Sequence, residues 1–324
     1  PTINYLRKAK ARVILCSHLG RPDGKFSENL RLSPVAARLS ELLGIPVATA
    51  IDCIGPQAEA AVSALTPGGV LLLENLRFHP HEEANDLSFA RSLASMADLY
   101  VNDAFGTAHR AHASTEGVAH YLPAVAGFLM EAELEALGSV LDRPERPFGA
   151  ILGGAKVSTK IGVLTNLLGK VDVLLLGGAL VNTFLKANGH DVGASPVENG
   201  QLDFARGVMA KAQAKGVHLP LPIDVVVADK FDAKAAYRTV SVKDVPKGWL
   251  ILDMGPKTIS GFKEELAQCK TVLWNGPVGV FEFPNFARGT QELARALAQL
   301  KAKVVVGGGE TAAAVTELGL ADKF

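Results

Sequence analysis

Short hydrophobic runs alternate along the chain with segments in which apolar residues recur at helical spacing. Ten runs rich in Val, Ile and Leu are predicted to form strands, at residues 12–18, 46–51, 69–76, 97–105, 147–155, 171–179, 221–229, 249–255, 271–277 and 303–310. The segments between them, such as 33–44, 87–97, 203–216 and 288–302, are predicted to be helices. Nearly continuous apolar strands that alternate with helices are typical of parallel sheets covered on both faces. We therefore predict an α/β fold with two doubly wound parallel-sheet domains.

A charged segment of helical spacing, 131–147, interrupts this pattern. It ends at Pro144 and Pro147, as expected for a helix followed by a stiff turn. The predicted domains are residues 1–130 and 148–324, joined by this helix. An ordinary surface helix inside a single domain is the alternative.

Composition and charge restrict the classes of function. Lys plus Arg and Asp plus Glu each number 33, so the formal net charge is zero, which disfavours a surface that binds polyanions throughout. Cys16, Cys53 and Cys269 are too few and too far apart for a disulfide framework, and we expect them to be buried and inert in a reducing cytoplasm. No apolar stretch reaches the roughly 18 residues of a membrane span, and the N-terminus lacks the apolar core of a signal peptide.

Glycine and polar residues follow most of the predicted strands, where ligands bind in parallel α/β sheets. The segment 151–164, ILGGAKVSTKIGVL, is predicted to be a strand, a glycine turn and a helix. Lys156 and Lys160, four residues apart, would share one helical face and point at one polyphosphate. The segment lacks the spacing of the common phosphate loop, and a turn with two solvated lysines is the alternative.

A second strand, glycine turn and helix start is predicted at 304–315, with Glu310 and Thr311 in the first helical turn. Glu310 is a candidate ligand for Mg²⁺ that bridges phosphates, or it only complements the helix dipole. Thr311 is a candidate donor to a phosphate oxygen. These residues and other strand-end residues of the second half predict a nucleotide site, the others being Gly177, Gly178, Asn275 and Glu282.

Arginines and histidines follow three strands of the first half, at His18, Arg21 and Lys25, at Arg77, His79 and His81, and at His109, Arg110 and His112. Arginine forks bind phosphate and carboxylate in a bidentate manner, so a basic pocket for a small anionic metabolite is one interpretation. Scattered surface cations are the other. A zinc site is disfavoured because His79 and His81 have no cysteine companion.

Six motifs occur in the order SHLGRP (17–22), ENLRFH (74–79), NDAFGTAHRAHAS (102–114), GGAKVSTKI (153–161), WNGPVGVFE (274–282) and GGGET (307–311). Together they resemble the phosphoglycerate kinase family over essentially the whole chain. The resemblance implies two Rossmann-like domains joined by a helix, with a cleft between them. It also implies a glycolytic enzyme that converts ADP and 1,3-bisphosphoglycerate to ATP and 3-phosphoglycerate with Mg²⁺.

The resemblance assigns residues to the two substrates. Phosphoglycerate binding falls to His18, Leu19, Gly20, Arg21, Arg77 and Arg110. Binding of ADP or ATP falls to Lys156, Lys160, Gly177, Gly178, Gly255, Asn275, Glu282, Gly307, Gly308, Gly309, Glu310 and Thr311. Lys156, Lys160 and Arg21 are the candidate catalytic residues, and Glu310 is the candidate ligand of the nucleotide's Mg²⁺.

Departures from the family pattern limit these expectations. Glu310 stands where the family usually has Asp, and Ala179 stands where glycine is common. The resemblance also implies an opening segment before Pro1 and a closing helix beyond Phe324, so the chain is expected to be an incomplete fragment with weak or no activity. A non-catalytic nucleotide-binding module is the alternative function. A dinucleotide oxidoreductase is disfavoured because no G-x-G-x-x-G follows a strand. We expect a monomer that acts on small molecules and binds neither nucleic acid nor membrane.

Overall fold

The computed structural model describes all residues, Pro1–Phe324. Contacts divide the chain into two compact units, Pro1–Glu135 and Ala136–Phe324, and the boundary falls inside the helix Phe128–Leu141. Each unit mixes strands with helices, so the predicted α/β class is confirmed. None of the helices has the length and apolar character required to cross a bilayer.

The first unit contains five strands, and each has only three residues. They are β1 (Val13–Leu15), β2 (Val47–Thr49), β3 (Val70–Leu72), β4 (Tyr100–Asn102) and β5 (Ala124–Ala126). Its helices are α1 (Thr2–Lys8), α2 (Ser33–Leu43), α3 (Pro56–Ser63), α4 (Pro80–Glu83) and α5 (Leu87–Ala94), followed by α6 (Phe128–Leu141), which contains the unit boundary.

Two parallel sheets organise the first unit, one in the order β1-β3-β2 and one that pairs β4 with β5. The central strand β3 is buried at all three positions, because helices and neighbouring strands cover it. Individual residues determine where two of these helices end or begin. Gly44 ends α2 with a left-handed φ of 64°. The Asp86 side chain caps the start of α5 by accepting the Phe89 N–H.

The second unit contains seven strands and six complete helices. The strands are β6 (Phe148–Leu152), β7 (Val173–Leu176), β8 (Asp224–Ala228), β9 (Tyr237–Ser241), β10 (Leu250–Met254), β11 (Thr271–Asn275) and β12 (Lys303–Gly307). The helices are α7 (Ile161–Leu167), α8 (Leu180–Ala187), α9 (Leu202–Lys215), α10 (Pro256–Ala267), α11 (Arg288–Leu297) and α12 (Gly309–Glu317).

A four-stranded parallel sheet in the order β12-β11-β6-β7 forms the centre of the second unit. Its two inner strands are buried on both faces, and Ile151, Leu152 and Trp274 are fully buried there. The strand order reverses between β6 and β11, since the chain adds β7 on one side and β12 on the other. Such a reversal opens a crevice at the carboxyl ends of the strands, where α/β proteins bind ligands.

The second sheet of this unit corrects the prediction of parallel sheets throughout. Strands β10, β8 and β9 pair in that order, and both pairings are antiparallel. A buried antiparallel strand has the same apolar composition as a buried parallel one, so the sequence pattern cannot distinguish them.

All ten predicted runs contain a strand, but two strands lie outside them. The first three residues of β9 are exposed and include Arg238 and Thr239, so no apolar run marks it. All three residues of β5 are exposed as well, and although they are apolar, the stretch 122–130 was not predicted to contain a strand. The structure also corrects one expectation for the cysteines, because Cys53 and Cys269 are buried whereas Cys16 is exposed.

Candidate functional site

In the first unit, a buried asparagine joins the segments that carry the predicted anion-binding residues. Asn75, 1% exposed, donates through Nδ2 to the carbonyl oxygens of Leu19 (2.9 Å) and Leu30 (2.8 Å). Its Oδ1 accepts the Arg77 N–H at 3.1 Å. All side-chain polar atoms of Asn75 therefore serve backbone groups, and they hold the turn after β1 against the turn after β3. The sequence-based prediction did not include Asn75, although it lies in the ENLRFH motif.

Arg77 is a buried cation, with a side chain only 4% exposed. Its Nη1 donates to the Gly20 carbonyl oxygen at 3.2 Å, and Nη2 lies 3.4 Å from the Glu83 carboxylate. Nε and Nη2 have no hydrogen-bond partner. Buried N–H groups without acceptors are costly, so this guanidinium is suited to receive acceptor oxygens from an anion.

The electrostatics of His18 show that the predicted cations converge. Burial lowers the pKa of His18, and the positive charges of Arg77, Arg110 and His112 lower it further. These side chains follow β1, β3 and β4, which are separate in sequence. Arg21 is different, because it lies on the exposed part of the turn after β1. Arg77 and Arg110 thus lie near enough to His18 for their charges to act on it.

A buried carboxylate, Glu82, holds the loop that carries Arg110. Glu82 is 3% exposed, and it accepts the Ser114 N–H at 3.0 Å and the Ser114 hydroxyl at 2.5 Å. Its backbone oxygen also accepts the Ala113 N–H at 2.9 Å. Glu82 was missed from sequence, because nothing in the pattern shows that the start of α4 packs against residues 113–114.

Replacing Glu82 with glutamine is expected to lower the free energy of unfolding by about 2 kcal/mol, because a buried charge-assisted hydrogen bond is lost. Urea denaturation of the whole chain measures the effect. Glu59→Gln is the matched control: Glu59 is exposed on α3 and forms no salt bridge, and we expect a change below about 0.5 kcal/mol. Equal effects of the two variants would contradict the role of Glu82.

In the second unit, residues after three of the four parallel strands lie together beside the strand-order reversal. Lys160, in the turn after β6, donates through Nζ to Asn275 Oδ1 at the end of β11. Burial lowers the pKa of Lys160, and the opposing charge of Glu310, just after β12, partly raises it. Lys160 is therefore bonded to Asn275, and Glu310 lies near enough for its charge to act on Lys160.

The predicted helical face of two lysines is wrong. Residues 153–157 are irregular, with bends at 155 and 157, Ser158–Lys160 forms a 3₁₀ turn, and the α-helix begins only at Ile161. Lys156 therefore lies before the helix on an exposed loop, and its relation to Lys160 is not the i, i+4 relation of one helix. The loop is anchored instead by Glu198, whose carboxylate accepts the N–H (3.0 Å) and hydroxyl of Ser158.

Glycine is required in this region for two different reasons, close packing at Gly177 and a left-handed backbone at Gly308. Gly177 is buried, and a Cβ there would lie 2.5 Å from the side chain of Val278, so its missing side chain makes room for a neighbouring loop. Gly308 has a φ of 88° and immediately precedes α12, as predicted, with Gly309 beside open space. A left-handed φ is strained for other residues, so glycine is required at 308 for the turn.

Thr311, Glu282 and Gly255 were also predicted to bind the nucleotide, and each has a different environment in the structure. Thr311 is fully buried, and its hydroxyl oxygen accepts the Gly276 N–H at 2.7 Å, which ties the turn after β11 to α12. Glu282 is exposed. Gly255 lies at the end of β10, in the antiparallel sheet, and the Asp224 carboxylate already accepts the Lys257 and Thr258 N–H groups at that helix start. Gly255 thus precedes a helix whose first free N–H groups are already bonded to a protein carboxylate.

A magnesium ion carried by a nucleotide fits the donors near Lys160. Mg²⁺ uses one or two protein carboxylates together with substrate phosphates and waters. Glu310 is exposed in the first turn of α12 and contributes one carboxylate of that kind. Its charge acts on the neighbouring Lys160, so the lysine and the carboxylate face the same region.

Comparison with known proteins identifies relatives along the whole chain. The family model for phosphoglycerate kinase matches residues 1–324. The phosphoglycerate kinases of Moorella thermoacetica and Synechococcus elongatus are 58% and 57% identical to it, over 100% of this chain and 82% of each relative. The solved structure of phosphoglycerate kinase from Coxiella burnetii has a TM-score of 0.85 at 44% identity, covering 100% of this chain and 82% of that one. The enzyme from Pyrococcus horikoshii has a TM-score of 0.83 at 34% identity, covering 98% and 81%.

Proposed function

The chain belongs to the phosphoglycerate kinase family, and from this membership we propose how its residues divide the work of the reaction. As a member it is a phosphotransferase with a carboxyl group as acceptor, and it transfers a phosphoryl group reversibly between 1,3-bisphosphoglycerate and ADP in glycolysis. The first unit binds the phosphoglycerate, and the second binds the nucleotide. A non-catalytic nucleotide-binding module is not favoured, because the family match extends over both units.

The observation that carries the proposal for the first unit is the cationic region of His18, Arg77 and Arg110. Phosphoglycerate is a small molecule with a carboxylate and a phosphate, and both are preferred partners of guanidinium groups. The unpartnered Nε and Nη2 of Arg77 supply donors that are already desolvated and held in place. Leu19 and Gly20 contribute through the backbone, since their carbonyl oxygens hold Asn75 and Arg77 in position.

The proposal for the second unit rests on Lys160, Asn275 and Glu310, which meet beside the reversal of strand order. Lys160 neutralises the nucleotide phosphates, and Asn275 holds Lys160 in place. The glycine turns at Gly178 and at Gly307 to Gly309 form the backbone of the pocket, and Glu282 binds the ribose hydroxyls. Thr311 holds the turn at Gly276 by accepting its backbone N–H.

Phosphoryl transfer requires little covalent chemistry from a protein, because the acyl phosphate and the nucleotide react directly. The protein must place the donor and acceptor oxygens in line and stabilise the charge on the transferring group. We assign this stabilisation to Lys156, Lys160 and Arg21. The exposed positions of Lys156 and Arg21 suit groups that complete the site only when both substrates are bound.

The nucleotide's Mg²⁺ would be held by Glu310 together with the substrate phosphates, and it would neutralise part of their charge. Glutamate is one methylene longer than the aspartate usual in the family, so its carboxylate reaches further from α12. We also propose that the chain works as a monomer in the cytoplasm on small-molecule substrates. Its three cysteines are free thiols, as a reducing compartment favours.

Arg110→Ala tests the assignment of the first unit. We expect the KM for 3-phosphoglycerate to rise about tenfold with little change in the KM for ATP, because one charge-assisted pair is lost. Steady-state rates in the ATP-consuming direction measure both constants. The matched control is Arg38→Ala, an exposed arginine on α2, for which we expect unchanged kinetics. Unchanged KM for 3-phosphoglycerate in Arg110→Ala would refute the pocket.

A further inference from the structure

Three potential metal ligands from two separate segments meet at one edge of the β1-β3-β2 sheet. Asp52 and Cys53 follow β2, and His79 follows β3, its neighbour in the sheet. One carboxylate oxygen, the Sγ atom and one ring nitrogen all lie within 4.8 Å of one another. His79 therefore has the cysteine companion that the sequence spacing does not reveal, and the reason given for disfavouring a zinc site no longer holds.

The three groups lie at different depths. Cys53 is fully buried in the hydrophobic core of the first unit, with Leu71 and Ala58 in the same cluster. The Asp52 and His79 side chains are 43% and 26% exposed. A cation from solvent can thus reach the carboxylate and imidazole first and the thiol beneath them.

The free site is already ordered by hydrogen bonds. Asp52 Oδ1 lies 2.7 Å from His79 Nε2 and accepts the Cys53 N–H at 2.6 Å. The carboxylate therefore holds both the imidazole of His79 and the backbone of Cys53, and the three candidate ligand atoms lie within 4.8 Å of one another before any metal binds.

The chemistry of these donors selects among cations. A thiolate, an imidazole nitrogen and a carboxylate oxygen are the ligands typical of zinc, whereas Mg²⁺ and Ca²⁺ prefer oxygen ligands alone. A thiolate and a carboxylate together carry two negative charges, which balance a divalent cation. We propose that Asp52, Cys53 and His79 form a Zn²⁺ site with three protein ligands and a fourth position open to water.

Binding of Zn²⁺ releases a proton from the site. Zn²⁺ replaces the thiol proton of Cys53, the S–H bond breaks as the Zn–S bond forms, and the proton passes to solvent. The Nε2 proton that His79 donates to Asp52 moves to Nδ1 through solvent, so that Nε2 and the Asp52 oxygen can each bind the metal in place of their hydrogen bond. The bound ion joins the end of β2 to the turn that also carries Arg77, so the folded first unit should be stabilised by Zn²⁺.

A calorimetric titration of the whole chain, untagged and freed of metal by a chelator, tests the proposal with ZnCl₂ alone as the probe. We expect one equivalent of Zn²⁺ to bind, with protons released to the buffer. His79→Ala and Asp52→Asn should each weaken binding about tenfold or more, and so should Cys53→Ala. The partly exposed positions of Asp52 and His79 make those two variants informative even if the buried Cys53→Ala fails to fold.

Two matched controls isolate the site. His81→Ala removes an exposed imidazole two residues from His79, and Cys269→Ala removes a buried thiol from the second unit, so both should bind Zn²⁺ as the parent does. Co²⁺ substitution adds a spectroscopic measurement, because a thiolate ligand gives a charge-transfer band that should vanish in Cys53→Ala and persist in Cys269→Ala. Absence of Zn²⁺ binding, or equal binding by the parent and all five variants, would overturn the proposal.

Discussion

Replacing Lys156 with alanine is expected to lower kcat by about 10² or more while leaving the Kd for ADP nearly unchanged. Lys156 is exposed on the loop before α7, whereas Lys160 is partly buried and held by Asn275. A lysine with this freedom can follow the phosphoryl group as charge develops during transfer. Stabilisation that exists mainly in the transition state raises kcat without strengthening ground-state binding.

Initial rates at saturating substrates and calorimetry with MgADP measure the two quantities for Lys156→Ala. Lys211→Ala is the control, because it removes an exposed lysine of the same unit from α9, away from the strand ends. Its kcat should equal that of the parent. If Lys156→Ala retains full turnover, or if its Kd for ADP rises in proportion to the loss of kcat, the transition-state role is refuted.

The lysines also show where prediction from sequence succeeds and where it fails. The glycine turn after β6 was predicted from the sequence, but the start of the helix was not, because the segment 153–160 adopts a bend and a 3₁₀ turn first. Ser158 is bound to Glu198, forty positions away in the chain. A contact of that kind depends on how α8 and the residues after it pack, which local periodicity does not encode.

The strands of the fold were likewise predicted in part and missed in part. Apolar runs locate buried strands well, since burial itself favours apolar residues, and β3, β6, β7 and β11 are of this kind. The runs also located β2, β4 and β12, which have no buried residue. Strand β9 was missed because three of its five residues are exposed. Its antiparallel pairing with β8 was also missed, because strand direction depends on the connections and not on side-chain composition.

The residues missed at the candidate site are buried and polar. Asn75 and Glu82 satisfy backbone groups of loops distant in sequence, and the strand-end sequence alone does not name their partners. The juxtaposition of Cys53 and His79 is similar, since it follows from the pairing of β2 with β3. Cationic residues at strand ends were easier to predict. Parallel strands end at the same edge of a sheet, so residues that follow different strands lie near one another even when the loop geometry is unknown.

Replacing Arg77 with methionine is expected to raise the KM for 3-phosphoglycerate about 10²-fold. Two of the three guanidinium nitrogens make no hydrogen bond within the protein, although Nη2 forms an ion pair with Glu83. Two charge-assisted hydrogen bonds to substrate at about 1.5 kcal/mol each correspond to a factor of this size. Methionine retains most of the side-chain volume, so the core around the turn after β3 stays filled. Steady-state rates with 3-phosphoglycerate as the varied substrate give the effect.

Stability distinguishes a binding role for Arg77 from a structural one. A buried cation whose Nε and Nη2 make no hydrogen bond costs free energy in the ligand-free protein. Removing it offsets the loss of the hydrogen bond to Gly20 and of the ion pair with the partly exposed Glu83. Arg77→Met should therefore unfold within a few degrees of the parent in the absence of substrate, while 3-phosphoglycerate should raise the midpoint of the parent alone. Arg77→Lys keeps the charge but not the planar fork, so it should recover only part of the affinity. A large loss of stability in Arg77→Met with an unchanged KM would mean that Arg77 supports the fold and does not bind the substrate.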